Sequence, residues 1–207
     1  MRPRSLFSYV VDHDYGINPN PVGGLCTLAQ CKFKPLPTSR RNVIEMAEVG
    51  DWIAGTGGRS RESAGNGKLI YAMRVTRKIP LSRYQNDTLF SGRADQYGEV
   101  QRTDGRFVLI SSEFYYFGKE AIEISRIPSR HLSHPFEKWG QRHRRDFSEA
   151  FIVDFEQWLQ REFAIGIHGE PCVGRPTNWS AKTIACRPRR FRIQRSLRKP
   201  GCPPRKC

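Results

Sequence analysis

The run Leu6-Phe7-Ser8-Tyr9-Val10-Val11 concentrates aromatic and β-branched residues and stops at the charged triplet Asp12-His13-Asp14. That pattern predicts a buried strand feeding a polar turn. A second strand is expected over Trp52 to Gly55, and the turn signal Gly65-Asn66-Gly67 opens a third over Lys68 to Ile79. In that third strand Leu69, Tyr71, Met73 and Val75 share one face. Asp104-Gly105 predicts a hairpin joining Glu99–Thr103 to Arg106–Ser111, and Phe114-Tyr115-Tyr116-Phe117 and the apolar positions Ala121, Ile122, Ile124 and Ile127 read as further strands.

Two segments carry helical spacing instead. Val43, Ile44 and Ala47 suit a short helix over Arg40 to Glu48 with Ser39 as its N-cap. Phe147, Phe151, Phe155, Trp158, Leu159 and Phe163 recur every three or four residues behind Asp146 and Glu149, which have the spacing of a capping box. This aromatic stripe is expected to be core. Gly166, Gly169 and Pro171 end the element. Six or seven strands and one long helix give an α+β fold.

Between these elements, Tyr15 to Lys32 holds two prolines, three glycines and two asparagines. Proline removes a backbone donor, and glycine and asparagine favour turns, so the segment is expected to be an irregular surface loop able to cover a ligand. Gly55-Thr56-Gly57-Gly58 permits close backbone approach but lacks the spacing of a dinucleotide loop, and Gly67-Lys68-Leu69 is no phosphate-binding P-loop. Nucleoside triphosphate hydrolysis is not expected.

Charge changes the picture at one end. The formal net charge is +15 over 207 residues, and Arg187, Arg189, Arg190, Arg192, Arg195, Arg198, Lys199, Arg205 and Lys206 supply nine of those charges with no acid among them. Pro188, Pro200, Pro203 and Pro204 lie in the same stretch, so residues 176–207 read as a basic, disordered tail able to hold phosphates. Residues 5–175 are expected to form the folded domain. The longest apolar runs are far too short to cross a bilayer, and Asp12, His13 and Asp14 interrupt any signal-peptide core, so a cytoplasmic protein with no membrane contact is expected.

The cysteines, Cys26, Cys31, Cys172, Cys186, Cys202 and Cys207, include no Cys-x-x-Cys pair. Reduced, packing thiols are expected, with no metal and no cofactor, although Cys26 and Cys31 could form half of a zinc site with Cys172, Cys186 or His13.

Two resemblances add to this reading. Gly50-Asp51-Trp52-Ile53, the glycines that follow, Tyr71-Ala72-Met73-Arg74-Val75-Thr76 and Tyr84 resemble the opening of a PUA-like barrel of the EVE or ASCH kind. That implies a small mixed β-barrel with a packed C-terminal helix. The order Tyr15-Gly16, Asn18-Pro19-Asn20-Pro21, Gly24, Cys26-Thr27-Leu28-Ala29, Cys31-Lys32, Gly50-Asp51-Trp52, Thr56-Gly57, Tyr71-Ala72-Met73, Ser111-Ser112, Phe114 to Gly118, Trp158-Leu159 and His168-Gly169-Glu170-Pro171 is similar to the second of the nucleotide modification associated domain families of phages and bacteria. The resemblance implies a role in handling modified nucleobases, with nucleotides or nucleic acid, and enzymes of a base-modification pathway, as partners.

Base recognition needs a flat aromatic face and fixed donors and acceptors. Tyr15, Trp52 and Tyr115 could stack, Asn18, Asn20, Thr27 and Asp51 could read a base edge, and Lys32, Thr56, Gly57 and Gly58 could hold a phosphate. A chemical alternative makes Cys26 a nucleophile with His13 or Asp51 as base. A third makes the tail a nucleic-acid adaptor.

Overall fold

The computed structural model describes residues 2–29, 42–96, 106–137 and 143–174. Its strands in chain order are β1 (Leu6–Val11), β2 (Asn20–Val22), β3 (Leu25–Leu28), β4 (Trp52–Gly57), β5 (Lys68–Arg74), β6 (Arg77–Pro80), β7 (Phe107–Ser111), β8 (Glu113–Tyr116), β9 (Ile122–Glu123), β10 (His143–Arg144) and β11 (Gly166–Ile167). The helices are α1 (Val43–Met46), α2 (Leu81–Asn86) and α3 (Glu149–Glu162). Seven strands form one sheet in the order β10-β1-β4-β5-β8-β11, with β9 beside β5, and four form a second in the order β2-β3-β7-β6. The α+β class holds; the described strands form two sheets and no closed barrel, so the PUA-like barrel is not borne out.

Alternation sorts the core into layers, except that β5 slips one position between Leu69 and Tyr71, so Leu69 does not share the face of Tyr71, Met73 and Val75 as expected. Ile53, Tyr71, Met73, Phe114 and Tyr116 point from the large sheet toward Cys26, Leu28 and Leu109 of the small one. Trp52, Ala54, Leu69, Ala72 and Tyr115 point the other way, onto the Phe151, Phe155, Trp158 and Leu159 face of α3. Burying each of those large side chains contributes about 1.5–3 kcal/mol, so the aromatic stripe fixes α3 to the sheet. The outer face of the small sheet, with Ile79, Val108 and Ile110, is covered by Leu81 and Tyr84 of α2 and by Phe90.

Several local expectations change. The segment 15–32 is a loop only in part, because Asn20–Val22 and Leu25–Leu28 pair as an antiparallel hairpin turned by Gly23 and Gly24 at φ 62° and 73°. Pro21 is tolerated because β2 is an edge strand, where a missing donor costs no ladder bond. The expected strand over Lys68 to Ile79 divides at Val75-Thr76: Val75 N–H donates to Asp51 O, Thr76 N–H donates to Ile110 O, and the chain passes from the large sheet to the small. Asn42 caps α1 through a capping box with Glu45, and Ser39 lies outside the described residues. Ser148, not Asp146, caps α3 by accepting from Phe151 N–H, while Asp146 pairs with Arg144. Ile124–Arg126 is a 3-10 turn, and the Asp104-Gly105 turn lies outside the described residues. β1 and β4 run parallel, a pairing made possible by the long crossover through β2, β3 and α1.

Candidate functional site

The expected site residues fall in several places. Asp51 is buried before β4, where its carboxylate accepts from Ser5 N–H (2.8 Å) and Glu48 N–H (2.9 Å) and pairs with Arg2. It therefore ties the N-terminus to the turn that launches β4. Trp52 and Tyr115 are fully buried against α3, their rings stacked with centroids 6.4 Å apart. Both present their faces to other protein side chains. Thr56 Oγ1 donates to Tyr9 O within the sheet. A Cβ on Gly57 would lie 1.7 Å from Gly65 O, and one on Gly58 would lie 2.2 Å from an Asp12 carboxylate oxygen. The close approach that these glycines permit is thus made by the protein itself, by Gly65 at Gly57 and by Asp12 and Val10 at Gly58. At a rise of ~3.3 Å per residue, Asp51 and Gly58 stand about 20 Å apart at opposite ends of β4.

Asn20 and Thr27 face each other across the β2–β3 hairpin and point outward, away from Cys26 and Leu28. Asp95, itself buried, accepts from Asn20 Nδ2 (2.7 Å), Tyr84 OH (2.8 Å) and Thr27 Oγ1. The Arg93 guanidinium donates to the carbonyls of Asn20 (2.6 Å) and Leu25 (3.2 Å) and to Thr27 Oγ1 (3.1 Å), with Nε 3.8 Å from Asp95. Burial pushes the Asp95 carboxyl up, opposed by Thr27 and Arg93. This is a buried polar joint that locks the hairpin to the 81–96 segment. Asn18 Oδ1 accepts from Ala29 N–H at 2.9 Å, bracing the same hairpin. Lys32 lies outside the described residues.

Cys26 is sealed between the sheets, and burial pushes its thiol well up. A thiolate there is strongly disfavoured, which removes the property a nucleophile needs. His13 lies elsewhere, on the surface, with Nδ1 2.7 Å from Glu62 Oε2; Tyr15 OH donates to the same oxygen at 2.6 Å, and the two rings stack. The Glu62 hydrogen bond, with burial, pushes the Tyr15 phenol up to about 12, and the same bond holds Glu62 below the usual carboxylate range.

A cleft of about 590 Å³ opens beside this region. Gly16, Pro21 and Val22 form one wall, Tyr116 and Lys119 reach it from the end of β8, and Ile167 to Pro171 form the other. Asp14 holds the walls together. Buried and next to Gly16, it accepts from Tyr116 OH (2.7 Å) and from Cys172 N–H (3.2 Å), and its carbonyl accepts from Val173 N–H (3.0 Å). Burial, with Asp14 nearby, raises the Cys172 thiol to about 12. His168 N–H donates to Tyr116 O (2.7 Å), continuing the β8–β11 pairing, and the His168 ring stacks on Phe117 at 5.2 Å. Another concavity, beside Ser82, Arg83, Asn86 and Asp87, has no aromatic wall.

The cleft gathers positions from stretches that the sequence pattern had singled out separately: Gly16, Pro21, Tyr116 and His168 to Pro171. The profile of Nucleotide modification associated domain 2 matches the chain over residues 3–104 and 91–182. The chain belongs to this family. No curated protein and no solved structure matches it. Relative to the sequence expectation, the cleft is displaced by single positions: Gly16 lines it beside Tyr15, Pro21 beside Asn20, and Tyr116 beside Tyr115. The available signal was strand alternation, which turns Tyr115 to α3 and Tyr116 to the opposite face. Among the described residues no cluster of His, Cys, Asp and Glu suits a metal ion, and no helix is long and apolar enough to cross a membrane.

Proposed function

We propose that this protein binds or processes a modified nucleobase or nucleotide as part of a phage or bacterial nucleotide or DNA modification system, and that the Gly16–Tyr116–His168 cleft is where the base is held. Family membership ties the chain to nucleotide modification. The observation that carries the site assignment is the cleft itself. Its volume lies within the range of small-molecule sites, and its walls combine apolar side chains with a few polar groups set by the backbone. Ile167, Val22 and Pro171 offer apolar contact to a heteroaromatic ring, and the His168 imidazole, seated on Phe117, offers a flat face at the rim. Tyr15 and Asn20, each one residue from the lining, support the wall on which Gly16 and Pro21 sit.

The test is a thermal-shift panel of ordinary and modified deoxynucleosides, their monophosphates and single-stranded decamers containing them against the full chain. A ligand that binds only the native state raises the midpoint, with about 2.7 kcal/mol added at one hundred times Kd. A shift for at least one compound, abolished by Val22→Trp, which adds bulk at an exposed position of the cleft lining, is the expected result. A panel without any shift would remove the reading.

A further inference from the structure

Resting on that reading, the cleft carries a second feature that speaks to ligand class. Lys119 and Glu170 are the charged residues of opposite sign that line it. The Lys119 ammonium stands 3.4 Å from Glu170 Oε2, with the two side chains 51% and 84% exposed. Their backbones are joined tightly: Lys119 N–H donates to Glu170 O at 2.8 Å, and a Cβ on Gly118 would lie 1.9 Å from that same oxygen. The main chain therefore fixes where Lys119 leaves the wall while its side chain stays in water. Lys119 is also the aliphatic ammonium of the lining, and the nearby His168 Nε2 is occupied by Ala164 O at 2.8 Å.

An exposed lysine–carboxylate pair is weak, because water screens it and both long side chains lose freedom in making it. A phosphate carries more charge and more acceptor oxygens than Glu170, so it competes effectively for the same ammonium. We infer that Lys119 is the phosphate-holding residue of the cleft and that Glu170 is its displaceable counter-ion, which makes the ligand a nucleoside monophosphate unit, free or within a strand, rather than a bare nucleoside. The base then lies along the apolar wall formed by Ile167 and Pro171, with its phosphate toward the Lys119 end.

Calorimetric titration of the full chain separates the possibilities. The probes are the four deoxynucleosides and the 5-hydroxymethyl pyrimidine deoxynucleosides, each with its 5′-monophosphate, and a single-stranded decamer containing the best base. For the wild type the monophosphate is expected to bind about tenfold more tightly than its nucleoside, the size of one charge-assisted contact. Lys119→Met should bring that ratio to about one, and Glu170→Gln should enlarge it by removing the competitor. Binding of the decamer but not of the free monophosphate, lost in Lys119→Met, would place the phosphate in a strand. Equal binding of nucleoside and monophosphate by the wild type, or a ratio that survives in Lys119→Met, overturns the phosphate assignment and leaves the base site standing. If none of the probes binds, both the base site and the phosphate assignment fall. Unchanged melting midpoints for the two surface variants would show that the comparison is between folded proteins.

Discussion

Replacing Asp95 by asparagine is the most informative single change in the scaffold. The side chain keeps its shape, and Oδ1 can still accept from Asn20 and Tyr84. The other oxygen becomes an amide that faces the Thr27 hydroxyl, and the countercharge to buried Arg93 disappears. Breaking a buried ion pair by removing one partner costs about 3–5 kcal/mol, because the remaining charge is left in a poorly solvating interior. Against a total stability of about 5–15 kcal/mol for a domain, the variant should remain folded but marginal. At about 2–4 °C per kcal/mol for a chain of this size, its midpoint should fall on the order of 10 °C. Urea unfolding followed by tryptophan fluorescence gives the free energy, provided that the denaturant slope is unchanged. Arg93→Met, measured alone and with Asp95→Asn, completes a double-mutant cycle. A coupling energy of about 1–3 kcal/mol is expected for residues in one network. An Asp95→Asn loss below about 1 kcal/mol, or additive single effects, would refute the idea that this pair locks the hairpin.

Other outcomes follow from the same coordinates. Gly57→Ala should cost about 3 kcal/mol, the upper part of the range for overpacking, since the new methyl meets the Gly65 backbone; the midpoint of thermal unfolding reads it. Cys26 should resist a thiol reagent in the native state and react only on unfolding, as peptide mapping would reveal; rapid native labelling would contradict its burial and raised pKa. Asp154, hydrogen-bonded first by Arg130 and then by His131, is held down at about 2 from an ordinary value of 3.8. Because its folded pKa lies below the unfolded one, its stabilisation is complete above about pH 4 and is lost as pH falls toward 2. The gap in stability between wild type and Asp154→Asn should therefore narrow across that window, and a constant gap would show that the interaction does not form.

Where the sequence could be read, one local period dominated. β1, β4, β8 and α3 each bury a regular face, and alternation or 3.6-residue spacing marks them without reference to the rest of the chain. The β2–β3 hairpin was illegible because Pro19, Pro21, Gly23 and Gly24 are breakers in isolation. They become acceptable only once β2 is known to be an edge and the two glycines its turn. The division after Arg74 was hidden for a similar reason: Tyr71 to Val75 alternates, and the switch to the second sheet depends on Asp51 and Ile110, distant in sequence. The cleft is the extreme case. Its closure depends on Asp14 meeting Cys172 and Tyr116, contacts over more than one hundred residues that no window along the chain contains. The family pattern reached Gly16, Tyr116 and His168 to Pro171 because it lists them in order, whereas the chemical reading favoured Trp52, Tyr115 and Asp51, whose bulk or charge is used inside the scaffold.

The Asp14 clasp also bears on how the gene can be shortened. A version ending at Phe163 would retain all of α3 and the aromatic packing beneath it. Yet the segment that returns to Asp14 begins only after that point, so such a product would be a sound scaffold with half of its groove cut away. If the proposed site is right, a ligand screen on that product would come back empty although the protein had folded.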